Sequence, residues 1–345
     1  MTEHVQVLSG TEIDQRLNID LLSVAKQNSQ NHRTLSSQVA LADPIQSNVQ
    51  KYQSLITCSN CEASTSFQIT ELFEKVQCPH CHLKFRVPIE TNLFIYDKHI
   101  YESDFINIFR AQNKKADINC DVVVYEKTHA APPLEELKDI FTFYASIEIK
   151  DFLSPLHCTE DDSAYYISRE NSPYRMNHYL AEFGKLPKDQ VAFILHKVCK
   201  TAHFLAKKRC FGAFLPSDVM LELDGTVKLA DYSIRELILS SIGLHSTIAN
   251  SSLAPELISS KDHDEASSVY SLAILAITFL TGKPPFTQKD PLAIEIERAQ
   301  FIETFDNKKL PSFLKIMLDP DPLNRPNFSK SGEFFKRLHR KNKSA

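Results

Sequence analysis

The chain has 345 residues, with 39 Lys and Arg residues against 43 Asp and Glu residues, and 43% of its residues are hydrophobic. This length allows two or three domains with a substantial core, and the near-neutral charge gives no global electrostatic case for nucleic acid or a membrane surface. The longest apolar stretch, Ser271 to Leu280, is too short to span a bilayer, and residues 1–22 lack the apolar run of a secretion signal. The sequence therefore predicts a soluble protein without a membrane partner.

Residues 1–50 are polar and rich in Ser, Gln and Asn, which predicts a flexible segment. Ser9 and Glu12 have the spacing of a capping box, and four apolar residues follow at helical spacing: Ile13, Leu17, Leu21 and Val24. One interpretation is a short amphipathic helix that docks on a partner or on this chain. The other is a marginal helix within a flexible tail.

Residues 52–88 contain four of the eight cysteines, in two Cys-x-x-Cys pairs with sixteen residues between them: Cys58, Cys61, Cys78 and Cys81. Two residues between thiolates let a tight turn present both sulfurs to one ion, and two such turns complete a closed tetrahedral site. Alternating patterns at Thr65–Thr70 and Leu83–Val87 predict short strands beside the turns. The arrangement resembles a zinc ribbon, and it predicts one structural Zn²⁺ bound by all four thiolates.

Two disulfides or a redox pair are the alternative interpretations of these cysteines. A cysteine-rich metal site suits the reducing cytosol, so the sequence favours a cytoplasmic protein. His80 and His82 are expected to lie outside the coordination sphere. The ribbon region balances Lys75, Lys84 and Arg86 against three glutamates, so a protein contact or a purely structural role is favoured over nucleic acid.

From residue 92 onward the pattern is α+β, and no internal repeat is evident. Strand-like runs occupy the first part, at 92–96, 105–111, 120–126 and 164–168, with one helical pattern at 134–149 between the last two. The second part is mostly helical, at 189–207, 267–280, 291–301, 311–318 and 328–339. Strands followed by helices predict a β-rich lobe and a helical lobe.

Three motifs follow in order in the second part of the chain. They read Phe-Gly-Ala-Phe-Leu-Pro-Ser-Asp at 211–218, Gly-Thr-Val-Lys-Leu-Ala-Asp-Tyr-Ser at 225–233, and Ala-Pro-Glu at 254–256. They resemble the protein-kinase family, whose catalytic loop is His-Arg-Asp-x-x-x-x-Asn and whose metal motif is Asp-Phe-Gly. The resemblance covers about residues 92–340, and it implies a bilobal kinase fold with a small lobe at 92–172 and a large lobe at 173–340.

The resemblance places Ala213 where the family has its catalytic base, and Gly212 where it has the preceding Arg. Pro216 and the hairpin at 221–231 fix this register, and no residue within two places of Ala213 can accept a proton. A general base contributes about 10²–10⁴-fold in rate. The sequence therefore predicts no catalytic residue at this position.

Two acidic residues capable of holding a metal remain in the motifs. Asp231 occupies the metal-motif position, and Asp218 stands where the family has the catalytic-loop Asn. Together they could bind Mg²⁺ and ATP weakly. The alternative is that Asp218 caps a turn and Asp231 satisfies local backbone groups.

The groups that hold phosphates are missing from the first part. The segment Tyr101–Ala111 contains no glycine, so its backbone amides cannot approach phosphates closely. Val123 aligns with the phosphate-binding Lys, and Lys127 lies too far along the same strand to replace it. Glu135 and Glu136 both remain candidates for the small-lobe helix Glu.

Other matches are architectural. The resemblance implies a buried ion pair between Glu256 and Arg325, which lies in Asp319-Pro-Asp-Pro-Leu-Asn-Arg325. Ser268 stands where the family has the Asp that braces the catalytic loop, which predicts that this brace has been lost together with the loop. The basic tail 336–343 is interpreted as a solvated helix end.

These observations together predict a pseudokinase: a kinase-fold signalling or interaction module that binds protein partners, with another kinase as one candidate, and carries a structural zinc ribbon. Two alternatives stay open. The first is an active Ser/Thr-type kinase that transfers the γ-phosphate of ATP to protein. The second is a nucleic-acid-associated zinc-ribbon protein, against which the ribbon charges argue. Whether any enzymatic activity remains is left open.

Overall fold

The computed structural model describes most of the chain from residue 52 onward. The described residues are 40–41, 52–58, 61–69, 73–87, 90–102, 106–128, 131–171, 174–222, 224–230, 232–241, 252–258, 263–288, 290–306 and 310–343. The amphipathic helix predicted at 13–24 and the metal-motif residue Asp231 lie outside these residues.

The strands form two hairpins and two larger sheets. In chain order they are β1 (Ala40–Leu41), β2 (Tyr52–Thr57), β3 (Ser64–Ile69), β4 (Lys75–Gln77), β5 (Lys84–Arg86), β6 (Phe94–Glu102), β7 (Ile106–Asn113), β8 (Ile118–Glu126), β9 (Phe152–Leu153), β10 (Pro155–Glu160), β11 (Ala164–Glu170), β12 (Tyr174–Arg175), β13 (Val219–Leu221) and β14 (Val227–Ala230). The six-stranded sheet has the order β1-β10-β11-β8-β7-β6, and the four-stranded sheet has the order β12-β13-β14-β9.

The helices follow the strand-rich part, as the sequence predicts. They are α1 (Leu134–Ala145), α2 (Met176–Phe183), α3 (Lys188–Ala206), α4 (Tyr232–Ser241), α5 (Glu265–Thr281), α6 (Pro291–Glu303), α7 (Phe313–Met317) and α8 (Phe328–Lys343). The predicted α+β fold with a β-rich lobe and a helical lobe is confirmed. The helical pattern predicted at 134–149 ends at Ala145, and α2 and α4 are helices that the pattern did not predict.

Helix α5 is the centre of the helical lobe. Every residue from Ser267 to Phe279 is buried, which explains why the segment is apolar on all sides rather than amphipathic. Asp264 accepts a hydrogen bond from the Ser267 N–H at 2.7 Å and caps the N-terminus. Gly282 ends the helix with a φ of 78°, a conformation that glycine adopts without strain. Among the described residues, no helix combines the length and apolar character needed to cross a bilayer.

The six-stranded sheet is covered on both faces. One face packs on α1 and the large-lobe core through alternating residues that include Ile108, Val123 and Tyr125. The other face presents Phe109, Val122 and other residues to the cysteine-bearing unit. Because both faces are covered, all six residues from Cys120 to Tyr125 are buried, and β8 lacks an alternating pattern: its buried residues are apolar or aromatic except for Asp121.

The cysteine-bearing unit consists of the hairpins β2–β3 and β4–β5, close to where the sequence predicts them. Phe73 is its anchor on the sheet: its ring stacks on Phe109 at 4.3 Å and meets the edge of Tyr96 at 4.9 Å. Ile69 and Val87 are fully buried beside it. The unit is therefore packed onto the outer face of the small-lobe sheet through an apolar interface.

We predict that Phe73→Ala lowers the free energy of unfolding by about 3–5 kcal/mol, because the aromatic contacts are lost and a cavity is left. Denaturant unfolding followed by circular dichroism measures this change. Leu55→Ala is the matched control, since Leu55 belongs to the same unit but its side chain is 73% exposed. An equal, small effect of both substitutions would contradict the anchor role.

Candidate functional site

The loop at 211–218 crosses the large lobe above helix α5, and two serine hydroxyls of that helix hold its backbone. Ser268 Oγ accepts a hydrogen bond from the Gly212 N–H at 3.1 Å, and Ser271 Oγ accepts one from the Phe214 N–H at 2.7 Å. The prediction that the brace has been lost is therefore wrong. Two neutral hydroxyls replace the carboxylate, because a short hydroxyl side chain on a buried helix still reaches backbone N–H groups.

Ala213 is buried at the turn of this loop, with a relative exposure of 1%. Its carbonyl oxygen accepts a hydrogen bond from Arg235 Nη2 at 2.5 Å. Beside it, Phe214 stacks on Tyr232 with ring centroids 4.5 Å apart, and the Tyr232 hydroxyl donates to the Cys210 carbonyl at 2.7 Å. Among the described residues, the contacts of the Ala213 loop are therefore packed rings, backbone groups and the Arg235 guanidinium.

Asp218 is buried and both of its carboxylate oxygens are engaged. Arg235 Nη1 donates to Oδ1 at 2.5 Å, and the Leu215 N–H donates to Oδ2 at 2.8 Å. Burial raises the pKa of Asp218 above its ordinary value, and the guanidinium of Arg235 opposes that shift. Asp218 therefore acts as the partner of an arginine and as the cap of its own turn, which is the structural alternative that the sequence left open.

Arg235 reaches Asp218 because helix α4 begins at Tyr232, immediately after Asp231. The first turn of this helix brings Arg235 back beneath the loop, where it contacts both Ala213 and Asp218. The guanidinium is 3% exposed. Sequence reasoning missed this residue, because only its placement on a helix at this point in the chain would have signalled it.

The cleft between the lobes holds a cavity of about 10 Å³, room for about one water molecule. Small-molecule sites in proteins usually measure roughly 300–1,000 Å³. The lining residues come from both lobes: Tyr101, Ile106, Ile108, Val123, Tyr125, Leu215, Ser217, Asp218 and Arg235. Val123 therefore presents an apolar side chain to the cleft. Among the described residues, those that line this cavity leave no room for a nucleotide beside Asp218, and that carboxylate is already paired, so this arrangement does not fit Mg-ATP.

The segment that precedes the cleft is engaged with the cysteine-bearing unit. Glu102, at the end of β6, pairs with Lys75 at 3.0 Å and with Arg86 at 3.2 Å. Arg86 also contacts Glu126 on β8 at 3.4 Å. These acidic side chains, which would repel phosphates, instead fix the small lobe to that unit.

Lys127 lies away from the cleft, as its distance along β8 predicts. Its Nζ pairs with Glu160 at 2.6 Å, donates to the Asp161 carbonyl at 2.6 Å, and lies 4.7 Å from the ring centroid of Tyr165. Glu135 forms an i,i+3 pair with Lys138 on the surface of α1. The family's Lys–Glu pair is therefore not formed by Lys127 with Glu135.

A second buried ion pair joins the lobes behind the cleft. Arg175, on β12, donates to Asp121 on β8 at 2.7 Å and to the Ser217 carbonyl at 3.1 Å. Arg110 adds a contact to the same carboxylate at 3.7 Å. Arg169 is also buried nearby, and burial together with the charge of Arg175 lowers its pKa to about 9. No pattern in the sequence predicts this network, because its members come from separate strands.

Glu256 and Arg325 are brought together as a bidentate pair. Arg325 Nη1 and Nη2 donate to the two carboxylate oxygens of Glu256 at 2.6 and 2.9 Å. The guanidinium also donates to the Asp319 and Pro320 carbonyls and lies 4.9 Å from the ring centroid of Tyr270. The pair connects the Ala-Pro-Glu turn to the segment before α8.

The four cysteine sulfurs form a compact cluster, in which all four Sγ atoms lie within 4.8 Å of one another. The Sγ atoms of Cys58 and Cys81 are 3.6 Å apart, and those of Cys61 and Cys78 are 3.7 Å apart. A tetrahedral ion with Zn–S distances of about 2.3 Å requires sulfurs about 3.8 Å apart. The cluster therefore fits a zinc ion.

The two halves of the cluster are built alike. In each half, the residue after the second cysteine has a positive φ, 57° for Glu62 and 59° for His82, and donates its N–H to the carbonyl of the first cysteine at 2.9 Å. His80 and His82 are exposed, and the described group of metal-ligating side chains consists of the four thiols. Two identical turns thus present four sulfurs to one point.

We predict one bound zinc per chain, measured by metal analysis of the purified protein, and its loss in Cys61→Ser/Cys81→Ser. Because the anchor Phe73 sits between the two cysteine pairs in the chain, loss of the metal should lower the melting temperature of the whole small lobe. Cys120→Ser, a buried cysteine outside the cluster, is the control that should keep full zinc content. Retained zinc in the double variant would contradict the assignment.

Comparison with known proteins places these features in a family. Residues 133–333 match the protein kinase domain. Serine/threonine-protein kinase CLA4 of Saccharomyces cerevisiae is 30% identical over 126 residues, which cover 36% of this chain and 14% of that protein. An Aurora kinase of Patiria pectinifera is 26% identical over 192 residues, 53% of this chain and 46% of that protein. The chain thus spans less than half the length of either relative.

Among solved structures, the crystal structure of Rad53 1–466 in complex with AMP-PNP superposes with a TM-score of 0.56. The superposition covers 69% of this chain and 64% of that chain at 16% identity, which supports the shared fold alone. The family match covers more than half of the chain, and the motif order, the lobes and the Glu256–Arg325 pair agree with it. The chain therefore belongs to the protein kinase domain family.

Proposed function

We propose that this chain is a pseudokinase: a kinase-fold interaction module that does not transfer phosphate, with a structural zinc ribbon packed on its small lobe. The observation that carries the proposal is the Arg235 guanidinium on Asp218, beside a cavity of about 10 Å³ in the cleft. This contact is stronger evidence than the absence of a catalytic side chain, because it places a fixed positive charge beside a carboxylate that an active site would use to hold a cation.

The charge of Arg235 acts against a bound magnesium ion. A cation entering beside Asp218 would face a guanidinium at hydrogen-bond distance from the same carboxylate, in a buried site where like charges repel strongly. Displacing Arg235 would leave its charge buried without a partner, which costs about 3–5 kcal/mol. The closed cleft is therefore the favoured state of this chain.

The absent groups support the same conclusion. Ala213 replaces the base, Gly212 the neighbouring Arg, and Val123 the phosphate-binding Lys, while the small-lobe loop lacks glycine. Such losses are not additive, yet each removes a different part of phosphoryl transfer. For this chain to act as a Ser/Thr-type kinase, Arg235 would have to move away from Asp218, and a residue outside the loop at 211–218 would have to serve as the base.

The partners of this module are proposed to be proteins, with another kinase as one candidate. Leu292 and Ile296, one turn apart on α6, expose 72% and 53% of their surface, which is the kind of apolar pair that a protein partner covers. The zinc ribbon has a structural role in this proposal. A site of four thiolates also suits the reducing cytosol, where we place the protein.

We predict that ATP with Mg²⁺ leaves the melting temperature of the protein unchanged in a thermal-shift assay, because the cleft is filled and Asp218 is paired. A ligand at a hundred times its Kd would stabilise the protein by about 2.7 kcal/mol, which such an assay detects. A clear magnesium-dependent rise in melting temperature would contradict the closed cleft.

We predict strong coupling between Asp218 and Arg235 in a double-mutant cycle. Arg235→Ala alone should destabilise the protein by about 3 kcal/mol, since it leaves a buried carboxylate unpaired, and Asp218→Asn in the same chain should recover part of the loss. Unfolding free energies of the four proteins give the coupling. If the two changes in unfolding free energy are additive, the two residues are not coupled, and the pair does not hold the cleft closed.

We predict no phosphate transfer from labelled ATP to a generic protein substrate, in the wild-type chain or in Asp231→Ala. The reason is that the base, the lysine clamp and the space for nucleotide are all missing. Transfer by the wild type that disappears in Asp231→Ala would establish the active-kinase alternative, and transfer that persists in Asp231→Ala would point to a contaminating kinase.

A further inference from the structure

Helices α3 and α8, which are far apart in the chain, pack side by side on the outside of the large lobe. His196 Nδ1 donates to the Gly332 carbonyl at 3.0 Å, and His339 Nδ1 donates to the Asp189 carbonyl at 3.0 Å, so the helices run antiparallel. A Cβ at position 332 would lie 3.2 Å from the Cys199 Cβ. Glycine at this position therefore allows the helices to approach closely.

The pairing concentrates positive charge. Residues 188–209 and 328–343 contain twelve basic residues against two acidic ones, a formal charge of +10 in a chain whose net charge is −4. We call the described side chains among them the basic face: Lys188, Lys197, Lys200, Lys207, Lys208, Arg209, Lys330, Lys336, Arg337, Arg340 and Lys341. Of the two acidic residues, Glu333 is already paired with Lys336 at 3.4 Å.

The basic face is accessible and rigid. Lys200 on α3, Lys208 in the turn after α3 and Arg337 on α8 are exposed, and the apolar sides of both helices are buried in the large-lobe core. At 1.5 Å per residue, helix α3 from Lys188 to Ala206 is about 28 Å long. Side chains three or four residues apart on one helix face, such as Lys197 and Lys200, lie within the Debye length of about 8 Å at physiological ionic strength. Their charges therefore repel one another, and the fold holds them together against this repulsion.

An aromatic ring lies within this face. Phe204 is 44% exposed and stands one helical turn from both Lys200 and Lys208. Lys207 Nζ lies 5.3 Å from its ring centroid, and Lys197 Nζ lies 5.6 Å from that of Phe193, nearer the start of the helix. Lysines on either side of an exposed ring are the combination that binds a strand by its phosphates and stacks on a base.

We propose that the basic face binds single-stranded nucleic acid without sequence specificity, through its phosphates and with Phe204 stacking on a base. Protein–protein interfaces are depleted in lysine, which dominates here, so an acidic protein is the less suited partner. A helix that lies on a membrane needs a free apolar side, whereas the apolar sides of α3 and α8 are buried.

The zinc ribbon does not supply this surface. Two of its basic side chains, Lys75 and Arg86, are paired with Glu102 and Glu126 of the small lobe. The sequence argument against nucleic acid considered the ribbon charges and the basic tail separately. The structure assigns the tail to one half of a larger basic surface. This inference does not rest on the loss of catalysis, because the face lies outside the cleft.

The test is fluorescence anisotropy of the full chain with labelled oligo(dT) of about 20 nucleotides and a duplex of equal length, over a salt series from about 50 to 200 mM. Binding of the single strand should weaken with salt at a slope of about −0.7 per phosphate contact. Lys200→Glu/Lys208→Glu/Arg337→Glu should lower affinity at least about tenfold and reduce the slope by about 2.

The matched control reverses three exposed lysines elsewhere, Lys84→Glu/Lys98→Glu/Lys315→Glu, with the same change in net charge. It should change affinity by less than about twofold, since only the local face contacts the phosphates. Phe204→Ala keeps the charge and should weaken the single strand about tenfold while leaving the duplex almost unchanged. Melting curves of each variant check that it is folded.

Several outcomes would overturn the proposal. Equal losses of oligo(dT) affinity in the two triple variants would show that the net charge of the protein, and not the basic face, determines binding. Polyglutamate of matched length that competes as well as oligo(dT) would indicate an acidic protein partner. Binding to vesicles of equal parts phosphatidylserine and phosphatidylcholine without binding to oligo(dT) would indicate a membrane. Absence of oligo(dT) binding at every salt concentration would remove the face as a nucleic-acid site.

Discussion

The ion pair between Asp218 and Arg235 connects the loop that carries Ala213 to the helix that follows Asp231. Both charges are buried, so each is stabilised by its partner. If the helix moved away from the loop, an unpaired charge would remain in a low-dielectric interior. The same guanidinium also donates to the Ala213 carbonyl, so the backbone at the place of the missing base is fixed. The small cavity beside it follows from this one contact, together with the apolar residues of both lobes that close over it.

The small lobe illustrates a second constraint, the need to cover both faces of a sheet. The ribbon packs Phe73 onto the outer face, and its Lys75 and Arg86 hold Glu102 at the end of β6. The cysteine-bearing unit therefore supports the sheet that forms the roof of the cleft. In this chain, the cysteine-bearing unit and the kinase-like small lobe pack together as one unit.

Several parts of this architecture could be predicted because they depend on local spacing. The two Cys-x-x-Cys turns place four sulfurs together, and the buried helix around Ser271 follows from an uninterrupted apolar run. The Glu256–Arg325 pair, by contrast, was implied by the resemblance to the protein-kinase family. The brace was predicted wrongly because a missing carboxylate was equated with a missing contact, whereas the hydroxyls of Ser268 and Ser271 bind the same backbone. Helix α4 was not predicted, since the stretch after Asp231 has no strong periodicity.

By itself, the sequence determined which chemical groups are present: four thiols at metal spacing, an alanine at the base position, and a valine at the lysine position. Only the tertiary structure decided what the remaining charged groups do. Asp218 could hold a cation or an arginine, and the answer depended on where a distant helix begins. From the sequence, the lysines of α3 and α8 could lie on two separate solvent-exposed helices. Because the two helices pack side by side, their lysines form one surface. The physical reason is that electrostatic energies depend on distances in space and on burial, which spacing along the chain does not fix.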